Sequence, residues 1–259
     1  MRGKRAPGPV APQPAPHRKA RIMFAVPSES GNVNWSIAHQ MARMMWNTAQ
    51  PECQMTFATT IKAGVRPIQY VRNQIAAEFL ASDADWLIMV DDDQVVPENF
   101  WQLCTVQGAD VVSGKTYCWV GNGYKEGRLR VNQYGLVKRP EIEYPECYNL
   151  FPEPTDTPYP VQVIGTGCIA IRRHVLEALG PNPFQFTYKP NGSIQAGEDV
   201  NFSIRLANLG FNILVHPGVQ FGHVKTIDLA LVDEYAAARV QFEAAGRVHR
   251  PVDVLSIGA

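Results

Sequence analysis

Apolar residues recur along this chain in two rhythms, and the rhythms alternate. Residues 21–26 form a short apolar run closed by Pro27, the signature of a buried strand. Across 34–47, Trp35, Ala38, Met41, Ala42 and Met45 fall at helical spacing, so a helix with these residues on its inner face is expected. Residues 53–60 are rich in Thr and Phe and read as a second strand. Pro67 opens a helix carrying Tyr70, Val71, Ile75 and Phe79 on one side. Residues 85–90 are nearly unbroken apolar sequence ending in three aspartates, the pattern of a central strand covered on both faces. A helix over 97–107 and a strand over 109–113 are expected next.

The second half is less regular. Residues 119–160 are rich in Gly, Pro, Tyr and charge and predict a long loop region that orders over a ligand. Strands are expected at 161–164 and 168–171, on either side of Gly165-Thr166-Gly167, then a short helix at 172–179. A helix at 198–208 ended by Gly210, strands at 212–215 and 219–221, and a helix at 227–245 complete the series. Strand–helix alternation of this kind predicts an α/β fold with a central, mostly parallel sheet flanked by helices. Ligands bind such sheets beyond the C-terminal ends of the strands, which is where the aspartates fall.

Composition changes the picture mainly at the N-terminus. The 259 residues carry 24 basic and 24 acidic side chains, but residues 1–21 hold six bases (Arg2, Lys4, Arg5, Arg18, Lys19, Arg21) and no acid. The remaining 18 bases and 24 acids give the body a net charge of −6. That balance does not describe a nucleic-acid-binding surface. With Pro7, Pro9, Pro12, Pro14 and Pro16, residues 1–20 read as a flexible basic arm ahead of a single domain over 21–259. The five cysteines show no C-x-x-C spacing, and no apolar stretch approaches the ~20 residues of a membrane span. A cytoplasmic protein with reduced thiols is expected.

Three groups of residues suggest chemistry. Asp91-Asp92-Asp93 follows the central strand; alternation would turn Asp91 and Asp93 to one side and Asp92 to the other, leaving two carboxylates for a hard divalent cation. Gly197-Glu198-Asp199 begins a helix, where carboxylates cap free amides, and where one could also take a proton from a hydroxyl. His223 follows a glycine just past the last apolar strand; a histidine there is ordinarily a hydrogen-bonded residue, but imidazole is also a common metal ligand.

The order of these pieces resembles the GT-A glycosyltransferases, and within them the family 2 nucleotide-sugar transferases. The resemblance is carried by VPSES at 26–30, VRNQIAAEFL at 71–80, DWLIMVDDD at 85–93, VIGTGCIAIRRHVLEALG at 163–180, GEDVNFSIRLANLGF at 197–211 and GHV at 222–224. It implies a GT-A fold and transfer of a sugar from a nucleotide-diphosphate sugar, UDP-linked first of all, with Mn²⁺ or Mg²⁺ as cofactor. Pro27 and Ser28 would lie against the nucleotide base, and Arg72 and Asn73 near the base or diphosphate. Asp91 would sit near the ribose and the cation, with Asp92 beside it on the donor side. Asp93 and His223 would ligate the cation, with Asp91 joining them directly or through water. Gly165, Thr166 and Gly167 would wall the transferred sugar. Asp199 would be the general base of an inverting reaction, with Glu198 orienting the acceptor or sugar. The acceptor, whether glycan, lipid carrier, protein or nucleic acid, is left open. Two other classes compete: a non-catalytic nucleotide-sugar-binding protein of the same fold, and an aspartate-dependent phosphatase. The phosphatase would place its aspartate pair after the first strand rather than the third.

Overall fold

The computed structural model describes residues 19–49, 55–64, 67–120, 128–131, 133–134 and 157–224. In chain order the strands are β1 Ala20–Ser28, β2 Met55–Ala63, β3 Trp86–Val90, β4 Gln94–Val95, β5 Val111–Lys115, β6 Tyr117–Val120, β7 Arg128–Val131, β8 Gln133–Tyr134, β9 Tyr159–Pro160, β10 Val163–Ile164, β11 Cys168–Arg172, β12 Thr187–Tyr188, β13 Ile194–Ala196, β14 Ile213–Gln220 and β15 Gly222–His223. The α-helices are α1 Trp35–Thr48, α2 Ile68–Ala81, α3 Arg173–Leu179 and α4 Glu198–Asn208.

Seven strands form one sheet in the order β2-β1-β3-β11-β5-β14-β9. β1 runs parallel to β2 and β3, and β14 parallel to β5. β11 is antiparallel to both β3 and β5, and β9 is antiparallel to β14. Five strands thus share one direction. The α/β architecture with a central, mainly parallel sheet flanked by helices is the one the sequence predicts.

Every residue of β3 is buried, and its side chains alternate between two apolar layers. Leu87 and Met89 pack with Val71, Ile75 and Phe79 of α2 and with Phe202 and Leu206 of α4. Trp86, Ile88 and Val90 face Ile37 and Met44 of α1 and Phe100 and Leu103 on the opposite side. Each such side chain contributes roughly 1.5–3 kcal/mol on burial, which pins the strand that leads into the aspartates.

Several expectations change. Residues 97–107 form only a 3₁₀ helix, Phe100–Thr105. The two strands expected at 212–215 and 219–221 are one strand, β14, with a register shift between His216 and Gln220, followed by the short β15. Within 119–160, β7, β8 and β9 are strands, and β6 begins at Tyr117; β6 pairs with β7 and β8 with β10, so this region is not all loop. Residues 121–127, 132 and 135–156 of that region, residues 1–18 of the arm expected over 1–20 and the helix expected at 227–245 lie outside the described residues, and Ala20 of the expected arm already opens β1.

Helix α1 buries a different face from the one its pattern suggested. Trp35 and Met45 are exposed, and Ser36, Ile37, Gln40 and Met44 are buried. The reason is polar. The Ser36 hydroxyl accepts from Val96 N at 3.1 Å, and Gln40 Nε2 donates to Val96 O at 3.4 Å. Asn34 caps the helix by accepting from Ser36 N, and its own N–H donates to Asp92 O at 2.9 Å. These bonds fasten the helix to the chain just after the aspartates. On the other side, Arg173 closes the C-terminal end of α2, donating to the carbonyls of Phe79, Leu80, Ser82 and Ala84.

Candidate functional site

The chain does not continue as a strand past Val90. Asp91 N donates to Gly167 O at 2.9 Å, and Gln94 N donates to Asp91 O at 3.1 Å, which closes a tight turn over 91–94. The alternation expected for three strand residues therefore does not hold. Asp91, Asp92 and Asp93 all line one cleft of about 360 Å³, together with Pro27, Glu29, Ser30 and Ile68. The cleft lies past the C-terminal ends of the adjacent parallel strands β1 and β3.

Each carboxylate has its own neighbour. Asp92 Oδ2 accepts from the Ser28 hydroxyl at 2.6 Å, and Ser28 Oγ in turn accepts from Gly31 N at 2.8 Å. Ser28 is 1% exposed and holds Asp92 from behind. Asp93 Oδ2 lies 3.0 Å from His223 Nε2. That pairing is set by the β15–β4 ribbon, in which His223 is opposite Gln94 and Gly222 opposite Val95. The glycine is needed for close approach, because a Cβ at 222 would stand 2.9 Å from Val95 Cβ. Val224 N donates to Asp93 O at 2.8 Å and fixes the far side of the same loop.

Asp91 faces Arg72 of α2, whose Nη2 donates to Asp91 Oδ1 at 2.7 Å. The other terminal nitrogen, Nη1, donates to Glu198 Oε1 at the start of α4. Burial works against the charge on Arg72, but Asp91 and Glu198 outweigh it and hold the guanidinium firmly ionised. The acids show the converse. Burial pushes the carboxyls of Asp91, Glu198 and Asp199 above their ordinary range, and Arg72 only partly offsets this in each. Asp199 Oδ1 accepts from Val200 N at 2.7 Å, as expected of an acid at a helix start. Asn73, next to Arg72, spends its amide on the backbone of Phe184, donating to its carbonyl at 2.8 Å and accepting from its N–H at 2.9 Å.

Gly165, Thr166 and Gly167 connect β10 to β11 beneath the turn. A Cβ at Gly167 would stand 3.4 Å from Asp91 Oδ2 and 3.5 Å from Gln94 Nε2. Ser203 of α4 accepts from Ile164 N at 3.3 Å and ties the helix to this loop. So the structure gathers Pro27 and Asp91–Asp93 at the cleft, His223 beside Asp93, and Glu198 and Asp199 behind Asp91. Ser28, Arg72 and Asn73 act as supports rather than cleft lining. Gln94 escaped sequence reading. It is 2% exposed, its Nε2 lies 3.5 Å from Asp93 Oδ1, and its Oε1 is buried without a partner among the described residues. Its position directly after three aspartates disguised it as part of a solvated strand end.

Among the described residues no group of three or more His, Cys, Asp and Glu side chains is gathered as a metal site. The donor chemistry nevertheless suits a divalent cation. A carboxylate oxygen and an imidazole nitrogen 3.0 Å apart at an acidic cleft are two groups that such an ion accepts as ligands. Asp91 lines the same cleft, with one carboxylate oxygen engaged by Arg72.

A comparison with protein-family models gives no match, and a comparison with curated proteins gives none. Among solved structures, the chain is similar to A197 from STIV at 18% identity, covering 80% of this chain and 86% of that one, with a TM-score of 0.49. It is similar to GalNAc-T7 with UDP, GalNAc and Mn²⁺ at 13% identity, covering 81% of this chain but only 44% of that one, with a TM-score of 0.44. A Drosophila β-1,4-galactosyltransferase 7 mutant in complex with manganese, UDP-Gal and xylobiose is similar at 13% identity over 80% of this chain and 71% of that one, with a TM-score of 0.43. At these values the likenesses assign no chemistry to this chain.

Proposed function

We propose that this chain is a metal-dependent glycosyltransferase of the GT-A type, which moves a sugar from a nucleotide-diphosphate sugar, UDP-linked in the first instance, to an acceptor hydroxyl. The observation that carries the reading is the cleft itself: Asp91, Asp92 and Asp93 line one concavity past the ends of β1 and β3, with His223 3.0 Å from Asp93. Four acids (Glu29 and the three aspartates) would repel a diphosphate. A divalent cation offsets part of that charge, gives phosphate oxygens a positive partner and, when bound, stabilises charge on the departing diphosphate.

Asp93 and His223 hold the cation in this reading. Asp91 and Asp92 face the donor, Pro27 flanks its base, and Gly165-Thr166-Gly167 borders the sugar. Asp199 takes the proton of the acceptor hydroxyl as that oxygen bonds to the anomeric carbon. The sugar–phosphate bond breaks on the opposite face, and its electron pair leaves with the diphosphate. Glu198, held by Arg72, acts on the acceptor side only indirectly, by fixing the position of its neighbour Asp199. The carboxyl of Asp199 is held above the usual range by burial, which suits a general base.

The test is thermal stability with UDP and Mn²⁺ together, each alone, and neither. Joint binding at 100 times the dissociation constant adds about 2.7 kcal/mol. Asp93→Ala should lose the metal-dependent part of that gain and of any sugar transfer, while keeping the unliganded melting temperature. Full transfer by Asp93→Ala, or by the wild type in excess chelator, overturns the reading.

A further inference from the structure

We propose that Arg72 is a positioning residue that sets the donor-side turn and the head of α4 in one fixed relation, so that a charge change at either end is felt at the other. The inference deepens the transferase reading and takes its chemical meaning from it, but its geometry stands independently.

Arg72 is 3% exposed, on the face of α2 that otherwise buries Val71, Ile75, Ala76 and Phe79. A cation there requires compensation, and it receives it from two distant places. Nη2 donates to Asp91, 19 positions along at the end of β3, and Nη1 donates to Glu198, 126 positions along at the start of α4. The remaining nitrogen, Nε, is buried with no partner among the described residues. The fork is therefore oriented by the two carboxylates rather than by its own stem.

The residues on either side strengthen the frame. Asn73 clamps Phe184, and Ser203 fastens α4 to Ile164, ahead of Gly167, whose carbonyl receives Asp91 N. Asp199 also lies close enough for its charge to act on Arg72. One guanidinium thus joins two carboxylates from two parts of the chain, with Asp199 beside the second. Loss or neutralisation of one carboxylate leaves the fork anchored at one end only, so the remaining partner is held less firmly. In the transferase reading, this relation keeps Asp199 in register with a sugar held at the 91–93 turn. A lysine keeps the charge but reaches only one carboxylate at a time, because an ammonium lacks the planar fork.

The experiment is hydrogen exchange on the full chain without ligand, comparing wild type with Glu198→Gln, Arg72→Lys and the double variant. Glu198 does not line the cleft, yet Glu198→Gln should speed exchange at Asp91 N and Gln94 N several-fold while leaving β2 amides unchanged. In the Arg72→Lys background, the added Glu198→Gln change should have little further effect at those amides. Unchanged exchange at Asp91 and Gln94 in Glu198→Gln, or fully additive effects in the double variant, overturns the proposal. Because no ligand is used, these outcomes are separate from a failure to bind UDP with Mn²⁺, which would sink the transferase reading alone. Where transfer is measured, Arg72→Lys should lower kcat at least tenfold, whereas a merely structural role would lower the melting temperature and leave kcat of the folded fraction unchanged.

Discussion

At the scale of single residues, the acid at position 199 makes the sharpest statement about pH. Burial raises its folded-state pKa above the unfolded value, so folding favours the protonated form. The stability this contributes is full below the unfolded pKa and is lost as pH rises through the folded one. Asp199→Asn keeps an acceptor for Val200 N and removes the buried charge. It should therefore be more stable than wild type at neutral pH, with the gain vanishing in acid, as urea melts at several pH values will show. If Asp199 is the base, the same change should cut transfer by about 10²–10⁴-fold and erase the acid limb of the pH–rate profile. Gly222 gives a second residue-scale outcome. Gly222→Ala places a methyl group against Val95 and should part β15 from β4, which carries His223 away from Asp93. Mn²⁺-dependent stabilisation by UDP should fall at least tenfold in apparent affinity, with the far-ultraviolet circular dichroism unchanged.

At the scale of elements, α2 is more a bracket than a wall. Its inner face joins the core, its adjacent Arg72 and Asn73 reach the head of α4 and Phe184, and its last carbonyls are taken by Arg173. Arg173→Ala leaves those carbonyls without a charged donor and should cost about 2–3 kcal/mol, measured by denaturant unfolding. Much of this was legible in the sequence. β3, α2 and α4 declare themselves because a buried strand and a capped helix leave periodic or terminal signals that depend only on neighbouring residues. The inner face of α1 did not, because Ser36 and Gln40 are buried through bonds to Val96, some 60 positions away. The same is true of the site. Asp91–Asp93, Glu198–Asp199 and His223 were singled out by residue type and place, but type cannot reveal that the aspartates turn. Nor can it reveal that Arg72 and Ser28 stand behind them, since those facts are contacts across 19 to 126 positions.

At the scale of the whole molecule, the described residues include no helix long and apolar enough to cross a membrane. The more consequential feature is the place of β11. It lies between β3 and β5, two strands that precede it by more than fifty residues, and runs against both. Until it arrives, β3 and β5 present open hydrogen-bonding edges lined with apolar side chains. A chain stopped after Thr116 should therefore fail to give a cooperative monomer and should self-associate in sedimentation, whereas addition of residues 157–224 as a separate chain should recover soluble material. A cooperative, monomeric melt from the shorter chain would contradict this. During synthesis, then, β11 acts as a keystone lowered between two stones already cut. The aspartate turn is made early, yet its contact with Gly167 waits for β11 and its histidine waits longer still, so the cleft matures only after the strands around it are in place.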